Sequence, residues 1–281
     1  MKKSILFLAA AAIIGSANSQ ELKTKKGFPI LPEAGDWALQ IDAVPFLNYT
    51  GNLMNNTAGN TVGAAPVMPF VITGKYFTDA KTAFRGHLRL GFGSATNKAF
   101  SVQDNQTTID PTVVVEDAMK ISSSNIVIGA GMEKRKGNGR LQGYYGGDFM
   151  IGLSSQKTTY EYGNAFSADN VAPTRTDFGS NVGGAGEFTT ESKNGSQFGL
   201  TLRGFVGAEY FFASKMSIGV EYGWGLNFNT TGEGERTTEE WDAAAATPAV
   251  KSRTFKTGGN NAFGIDTDNL GGGRINLTLH F

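Results

Sequence analysis

Only two side chains in this chain, His87 and His280, titrate near neutral pH without help from their surroundings. A hydrolase or transferase needs such a base beside a nucleophile and open to substrate. His87 lies mid-segment between Arg85 and Arg89, and His280 lies beside Phe281, so neither sits in a long connection where an exposed active site could form. The absence of cysteine excludes thiol nucleophiles, thiolate metal sites, disulfides and a lipid-anchored cysteine. Asp266-Thr267-Asp268-Asn269 is the densest carboxylate cluster for a hard cation, but the remainder of a calcium loop is missing. Gly129-Ala130-Gly131 has no helix after it, and Gly183-Gly184-Ala185-Gly186 has no suitable strand before it, so neither is a phosphate loop. No catalytic group, cofactor or metal is expected.

The chemistry that is well represented is charge at alternate positions. Asp42, Glu133, Asp148, Glu209 and Glu221 oppose Lys75, Arg85, Arg89, Arg203 and Arg274, five acids against five bases, each on the polar face of an alternating segment. Ionised groups enclosed in a narrow space must pair or bear a large desolvation cost. Two arrangements satisfy this: a narrow ion or proton conduit, or a salt-bridged plug. Equal numbers of acids and bases favour the plug, with His87 as part of it.

The segments that would position these charges read as eight strands of period two. They are Trp37 to Tyr49, Val67 to Phe77, a third with Phe84, Leu88, Leu90 and Phe92 on one face, Ile121 to Lys134, Leu141 to Leu153, Gln197 to Phe211, Met216 to Phe228, and a last one from Arg274. In the last, Ile275, Leu277, Leu279 and Phe281 share an apolar face while Arg274, Asn276, Thr278 and His280 share the other. The connections 50–66, 94–120, 154–196 and 230–269 are long and alternate with short turns. Inward glycines such as Gly131, Gly146, Gly207 and Gly223 would make room for large side chains from across the interior.

At the other end of the chain, Lys2 and Lys3, the apolar run Ile5 to Ile14 and Ala17-Asn18-Ser19 compose a cleavable export signal over residues 1–19. A segment of residues 20–35, with Lys23, Lys25 and Lys26 ahead of Phe28-Pro29-Ile30-Leu31-Pro32, precedes the first strand; its prolines keep it out of regular pairing, so it either plugs the near mouth or engages a partner. Nothing after the signal is long and apolar enough for a membrane helix. With 25 basic and 25 acidic residues, no nucleic-acid partner is expected. Mean hydropathy is −0.20, which suits a chain whose apolar residues are every second one.

The export signal, the eight alternating strands, the run Gly74-Lys75-Tyr76-Phe77-Thr78-Asp79-Ala80-Lys81-Thr82-Ala83-Phe84-Arg85-Gly86 and the terminal Phe281 resemble the small OmpA/OmpX-like outer-membrane β-barrel proteins, the Bacteroidetes type especially. The resemblance implies an all-β fold over residues 36–281: a transmembrane, eight-stranded, antiparallel up-and-down β-barrel with short periplasmic turns and long extracellular loops. It further implies integration in the cell outer membrane, with Ile275, Leu277, Leu279 and Phe281 as the strand read by the barrel-assembly machinery. Partners would be outer-membrane lipid and lipopolysaccharide, with an outer-membrane protein as a further candidate. The role would be structural, adhesive or surface-interacting, or that of an accessory subunit in a larger secretion, uptake or assembly complex; a narrow pore or a lipid-modifying enzyme ranks lower. An exported soluble β protein would share the export signal and the alternation, but seldom a last strand that ends on an aromatic residue.

Three finer expectations follow. Trp37, Tyr76, Phe77, Phe84, Tyr210, Phe211, Phe212 and Phe281 would form a periplasmic aromatic belt, and Phe46, Tyr49, Phe92, Trp224 and Phe228 an outer one. Lys134, Arg135, Lys136 and Arg140 would lie at the periplasmic rim, whereas connections 94–120, 154–196 and 230–269 carry 16 acids against 9 bases. Thr237-Thr238-Glu239-Glu240-Trp241-Asp242 and the alanines after it have the spacing of a short capped helix, while Val113-Val114-Val115 suggests strands continuing into a hairpin above the membrane.

Overall fold

The computed structural model describes residues 22–43, 54–55, 72–137, 139–179, 186–245, 247, 249–266 and 273–281. The expected export signal, Phe46, Tyr49, residues 67–71 and Thr267-Asp268-Asn269 lie outside them. The described chain is all-β, in one antiparallel sheet of twelve strands: β1 (Trp37–Asp42), β2 (Ile72–Asp79), β3 (Thr82–Val102), β4 (Val114–Lys136), β5 (Leu141–Glu161), β6 (Phe188–Lys193), β7 (Gln197–Ala213), β8 (Met216–Thr231), β9 (Gly234–Asp242), β10 (Ala249–Thr257), β11 (Asn260–Asp266) and β12 (Arg274–His280).

Eight of these strands close a ring in the order β1, β2, β3, β4, β5, β7, β8, β12, with β12 returning to pair with β1 through Ala38–His280 to Asp42–Asn276. Closure leaves no free edge around the ring. Period-two alternation fixes which side chains point in, because a slip of one residue would exchange the apolar and charged faces of a whole strand. The β2–β3, β4–β5 and β7–β8 turns lie at one end of the ring, together with both ends of the described chain. Lys215, in the β7–β8 turn, has φ 58°, and the β4–β5 turn holds Gly137 at φ 128°, where a methyl would also press on the Leu141 carbonyl.

At the far end the sheet outgrows the ring. Strands β3, β4 and β5 run 21, 23 and 21 residues, about twice the roughly 9–11 needed to cross a bilayer. The β3–β4 hairpin continues to Val102–Val114, in line with the valine run read as continuing the strands into a hairpin. Strand β5 pairs with β7 up to Ser154–Gln197 and then with β6 from Lys157–Lys193, so the sheet branches. Strands β9 and β10 extend this branch as a flap. Strand β11 adds to the upper half of β8, above β12.

Two sequence expectations are corrected here. Residues 237–242 are not helical but lie in β9, with Glu240 ion-paired to Arg253 and Asp242 to Lys251 on β10. The β-branched Thr237 and Thr238 and a partner strand outweigh a four-alanine run too short to nucleate a helix. Among the described residues, the connections 94–120 and 230–269, expected as loops, are in large part strands, because above the ring they still find strand partners.

Candidate functional site

The interior of the ring is charged. Four carboxylates, Glu133, Asp148, Glu209 and Glu221, and four cations, Lys75, Arg85, Arg135 and Arg203, are each 3 % exposed or less. Arg85, on β3, stands at the centre: its guanidinium lies 3.0 Å from Glu221, 3.6 Å from Asp148 and 3.7 Å from Glu133, and packs over the Phe205 ring at 4.0 Å. Arg203 spans Glu221 at 2.7 Å and Asp148 at 3.2 Å. Nearer the turns, Lys75 meets Glu133 at 2.8 Å, and Arg135 reaches both Glu133 and Glu209. Four charges of each sign neutralise one another, and every carboxylate has at least one cation within pairing distance, as burial requires.

The glycines opposite these groups leave the space that interior side chains occupy. A methyl at Gly223 would collide with the Arg203 guanidinium, one at Gly207 with the Tyr144 ring and one at Gly131 with the Asp148 carboxylate. The interior of an eight-stranded ring is only wide enough for side chains, and bare backbone is what admits arginines and aromatics together.

Below the charges lies an aromatic layer. Phe77 and Phe211, both 0 % exposed, flank His280 at 5.5 and 5.2 Å between ring centroids, with the Arg135 guanidinium over both phenylalanines. These two rings were expected in the periplasmic belt, on the lipid-facing side. The structure turns them inward because Phe77 shares parity with Thr73 and Lys75, and Phe211 with Arg203 and Glu209. Arg135 is likewise corrected from the rim to the interior: it follows Glu133 by two and shares its face. Lys134, Lys136 and Arg140 remain at the turn end, Arg140 donating to the Phe211 carbonyl at 3.0 Å.

Among the other expected interior residues, Arg274 is half-buried near the charges of Glu221 and Asp42. Arg89 is half-buried above the network, where the interior is lined by amides and hydroxyls. His87 bridges Thr73 Oγ1 at 3.0 Å and Asp148 at 3.0 Å. Hydroxyl, imidazole and carboxylate thus follow in the order of a nucleophile relay, yet each residue is at most 4 % exposed and presents nothing to a substrate. Sequence reading placed Thr73 and Tyr144 on the polar faces of their strands but missed Arg135 and Ser217 as interior partners; strand parity was the signal that could have found them.

The outside of the ring has the opposite character. Large apolar side chains are exposed on strand after strand, among them Phe84, Leu90 and Phe92 on β3, Ile128 on β4, Leu202 and Val206 on β7, and Val220 and Trp224 on β8. On β12, Leu279 and, just beyond it, Phe281 join this face, with Ile275 and Leu277 half-buried beside them. Comparison with family models, with curated proteins and with solved structures returned no match. Polarity is therefore what characterises the site: a charged, filled interior inside an apolar exterior.

Both ends of the ring are dressed. At the turn end, residues 22–36 dock across the β7–β8 turn: Ile30 is buried, Ser214 Oγ donates to the Pro29 carbonyl at 2.6 Å, and Lys215 pairs with Asp36. At the far end, the segment after β5 is clipped to the β3–β4 hairpin. Asp117, fully buried, accepts the Gly163 and Thr176 amides at 2.8 and 2.7 Å, and Asp104 accepts from Asn170 and the Thr174 amide. Burial tends to raise the Asp104 carboxyl, but the Asn170 and Thr174 hydrogen bonds, with Arg175 nearby, outweigh it and hold the group below the usual carboxylate range. Arg175 sits among Tyr162, Phe166 and Phe188 at 4.4 to 4.7 Å, and burial pushes the Tyr162 phenol up to about 12, the Arg175 charge opposing.

Proposed function

We propose that this chain is an integral outer-membrane β-barrel of the small OmpA/OmpX-like kind, non-enzymatic, with a salt-bridged closed interior and a structural, adhesive or surface-interaction role. The observation that carries the reading is the inverted polarity. A water-soluble β protein hides its apolar face and exposes its charges, whereas here eight buried charges sit inside exposed rings of Phe, Leu, Ile and Trp. Such an apolar surface, far larger than single patches on soluble monomers, calls for lipid. The apolar outward run of β3 from Phe84 to Phe92 has the length of one tilted crossing. Trp37 and Tyr76, 4.9 Å apart, fit the aromatic girdle on the turn side. In this orientation the turns are periplasmic, the flap and the clipped loop extracellular, and the strand ending at Phe281 is the one presented to assembly machinery.

The second reading, an accessory subunit of a larger outer-membrane complex, draws support from the docked N-terminal segment. It holds Phe28 60 % exposed beside exposed Lys25 and Lys26, a small basic-apolar tip facing away from Ile30's anchorage.

Reconstitution tests the membrane reading. Folded into vesicles, the protein should become resistant to protease over the eight ring strands, show strand tilt near the roughly 35–45° of membrane barrels by polarised infrared spectroscopy, and remain with the lipid after carbonate washing. Release of folded protein by carbonate would overturn the reading. Stoichiometric co-purifying proteins from native membranes would favour the subunit role over the stand-alone one.

A further inference from the structure

Where β5 exchanges β7 for β6, three tight connections meet: residues 194–196, 232–233 and 258–259. They touch backbone to backbone. A methyl at Gly195 would collide with the Gly232 carbonyl, and one at Gly259 with the Thr231 carbonyl. On this floor lies a groove of about 590 Å³, lined by Lys193 of β6, by Arg236, Phe255 and Lys256 at the end of the flap, and by Thr231 and Asn260. A second hollow of about 290 Å³ shares Asn194, Gly195 and Gln197 with it and continues toward Arg89 and Gln156.

The lining has a specific chemistry. Asn194 Nδ2 donates to Gln156 Oε1 at 3.0 Å, and Ser154 Oγ donates to Gln197 Oε1 at 3.1 Å. Each amide is thereby oriented, and among the described residues Asn194 Oδ1, Gln156 Nε2 and Gln197 Nε2 keep no protein partner. Fixed amides with spare donors and acceptors match vicinal hydroxyls, which donate and accept at once. Phe255 offers an aromatic face, half covered by the Arg236 guanidinium at 5.4 Å. The charge is also selective: Arg89, Lys193, Arg236 and Lys256 line the two hollows against Glu235 in the lining and Glu233 in the floor, the latter paired with Lys256 at 3.1 Å. The three long connections that surround them carry 16 acids to 9 bases, so this is a cationic groove in an acidic crown.

We propose that this groove binds an acidic oligosaccharide, a short run of sugars bearing carboxylate or phosphate groups. Amides would take the hydroxyls, Phe255 a C–H face of a ring, and Lys193 and Arg236 the anionic substituents. Under the membrane reading above, the hydroxyl pair Ser124–Ser155, 2.8 Å apart, marks the outer border of the apolar surface, so the groove opens near headgroup level. Its saccharide is then either that of a lipid in the same leaflet or a free surface glycan; only this choice of source rests on the membrane reading.

The test is calorimetric titration of the full folded chain in detergent free of lipopolysaccharide. Tetragalacturonate should bind saturably at one site, and neutral maltotetraose at least about tenfold more weakly. Lys193→Ala with Arg236→Ala should weaken tetragalacturonate by more than about tenfold, and Gln156→Ala with Gln197→Ala should weaken both saccharides. All four side chains are exposed, so unfolding midpoints should match the parent. Equal binding of the two saccharides, binding indifferent to both double variants, or inorganic phosphate binding as tightly as tetragalacturonate would overturn the proposal. Displacement of tetragalacturonate by lipopolysaccharide would assign the lipid source, and no displacement the free glycan. Because binding is read on folded protein in detergent, its failure leaves vesicle insertion to be judged separately.

Discussion

Arg203 shows what a single residue does in this interior. It neutralises Asp148 and Glu221 together, and its guanidinium occupies the space left by Gly223. Arg203→Ala should leave both carboxylates under-compensated and cost on the order of 3–5 kcal/mol, read as a lower urea midpoint of the detergent-folded protein. Arg203→Met combined with Glu221→Met removes one charge of each sign and should recover most of that loss; a double variant as weak as the single would assign the effect to packing instead. Gly223→Ala should cost about 1–3 kcal/mol by overpacking, and in an Arg203→Ala background the same change should cost much less, because the side chain it strikes is gone.

Among the elements, the long β3–β4 hairpin matters for the clip it offers the segment that follows β5. That segment has little regular structure of its own, so its order depends on side chains reaching backbone amides: Asp117 to Gly163 and Thr176, Asp104 to Thr174, and Asn164 to the Val102 and Thr174 carbonyls at 2.8 Å. The folded Asp104 carboxyl lies below its unfolded value. Its contribution is therefore present above the ordinary carboxylate range and is lost as pH falls through the depressed folded value. Hydrogen exchange at residues 163–176 should rise on acidification before the ring strands respond, and Asp104→Asn should abolish Asp104's share of that pH dependence. An unchanged exchange profile in acid would mean that the aromatic packing around Arg175 holds the segment without Asp104.

For the whole molecule, the interior decides whether the ring of strands could conduct. Charge layers and the Phe77–His280–Phe211 layer follow one another along the axis and are buried, and Ile30 anchors the docked segment at the turn end. The wild-type protein in planar bilayers should show no long-lived large openings. Removal of residues 22–35 alone should not create them, since the aromatic and charged layers remain. Sustained openings in either form would mean that the charges line a path.

Much of this was legible in the sequence. Alternation set the ring strands and their inward charges, because the period of two is a property of extended backbone and persists whatever the partners. The same rule, applied to its end, would have turned Phe77, Phe211 and Arg135 inward; they were misplaced because proximity to a turn was given more weight than parity. The branch at Ser154 to Lys157, the strand at residues 237–242 and the groove beside it were not legible. Local propensity favoured a helix at Thr237–Asp242, and only pairing with β10 and with β6, which lies far back in the chain, made extended backbone the better state. What the sequence determines by itself is which face of each strand is polar; which strands meet, and what space they leave between them, is decided by long-range pairing that no local pattern encodes.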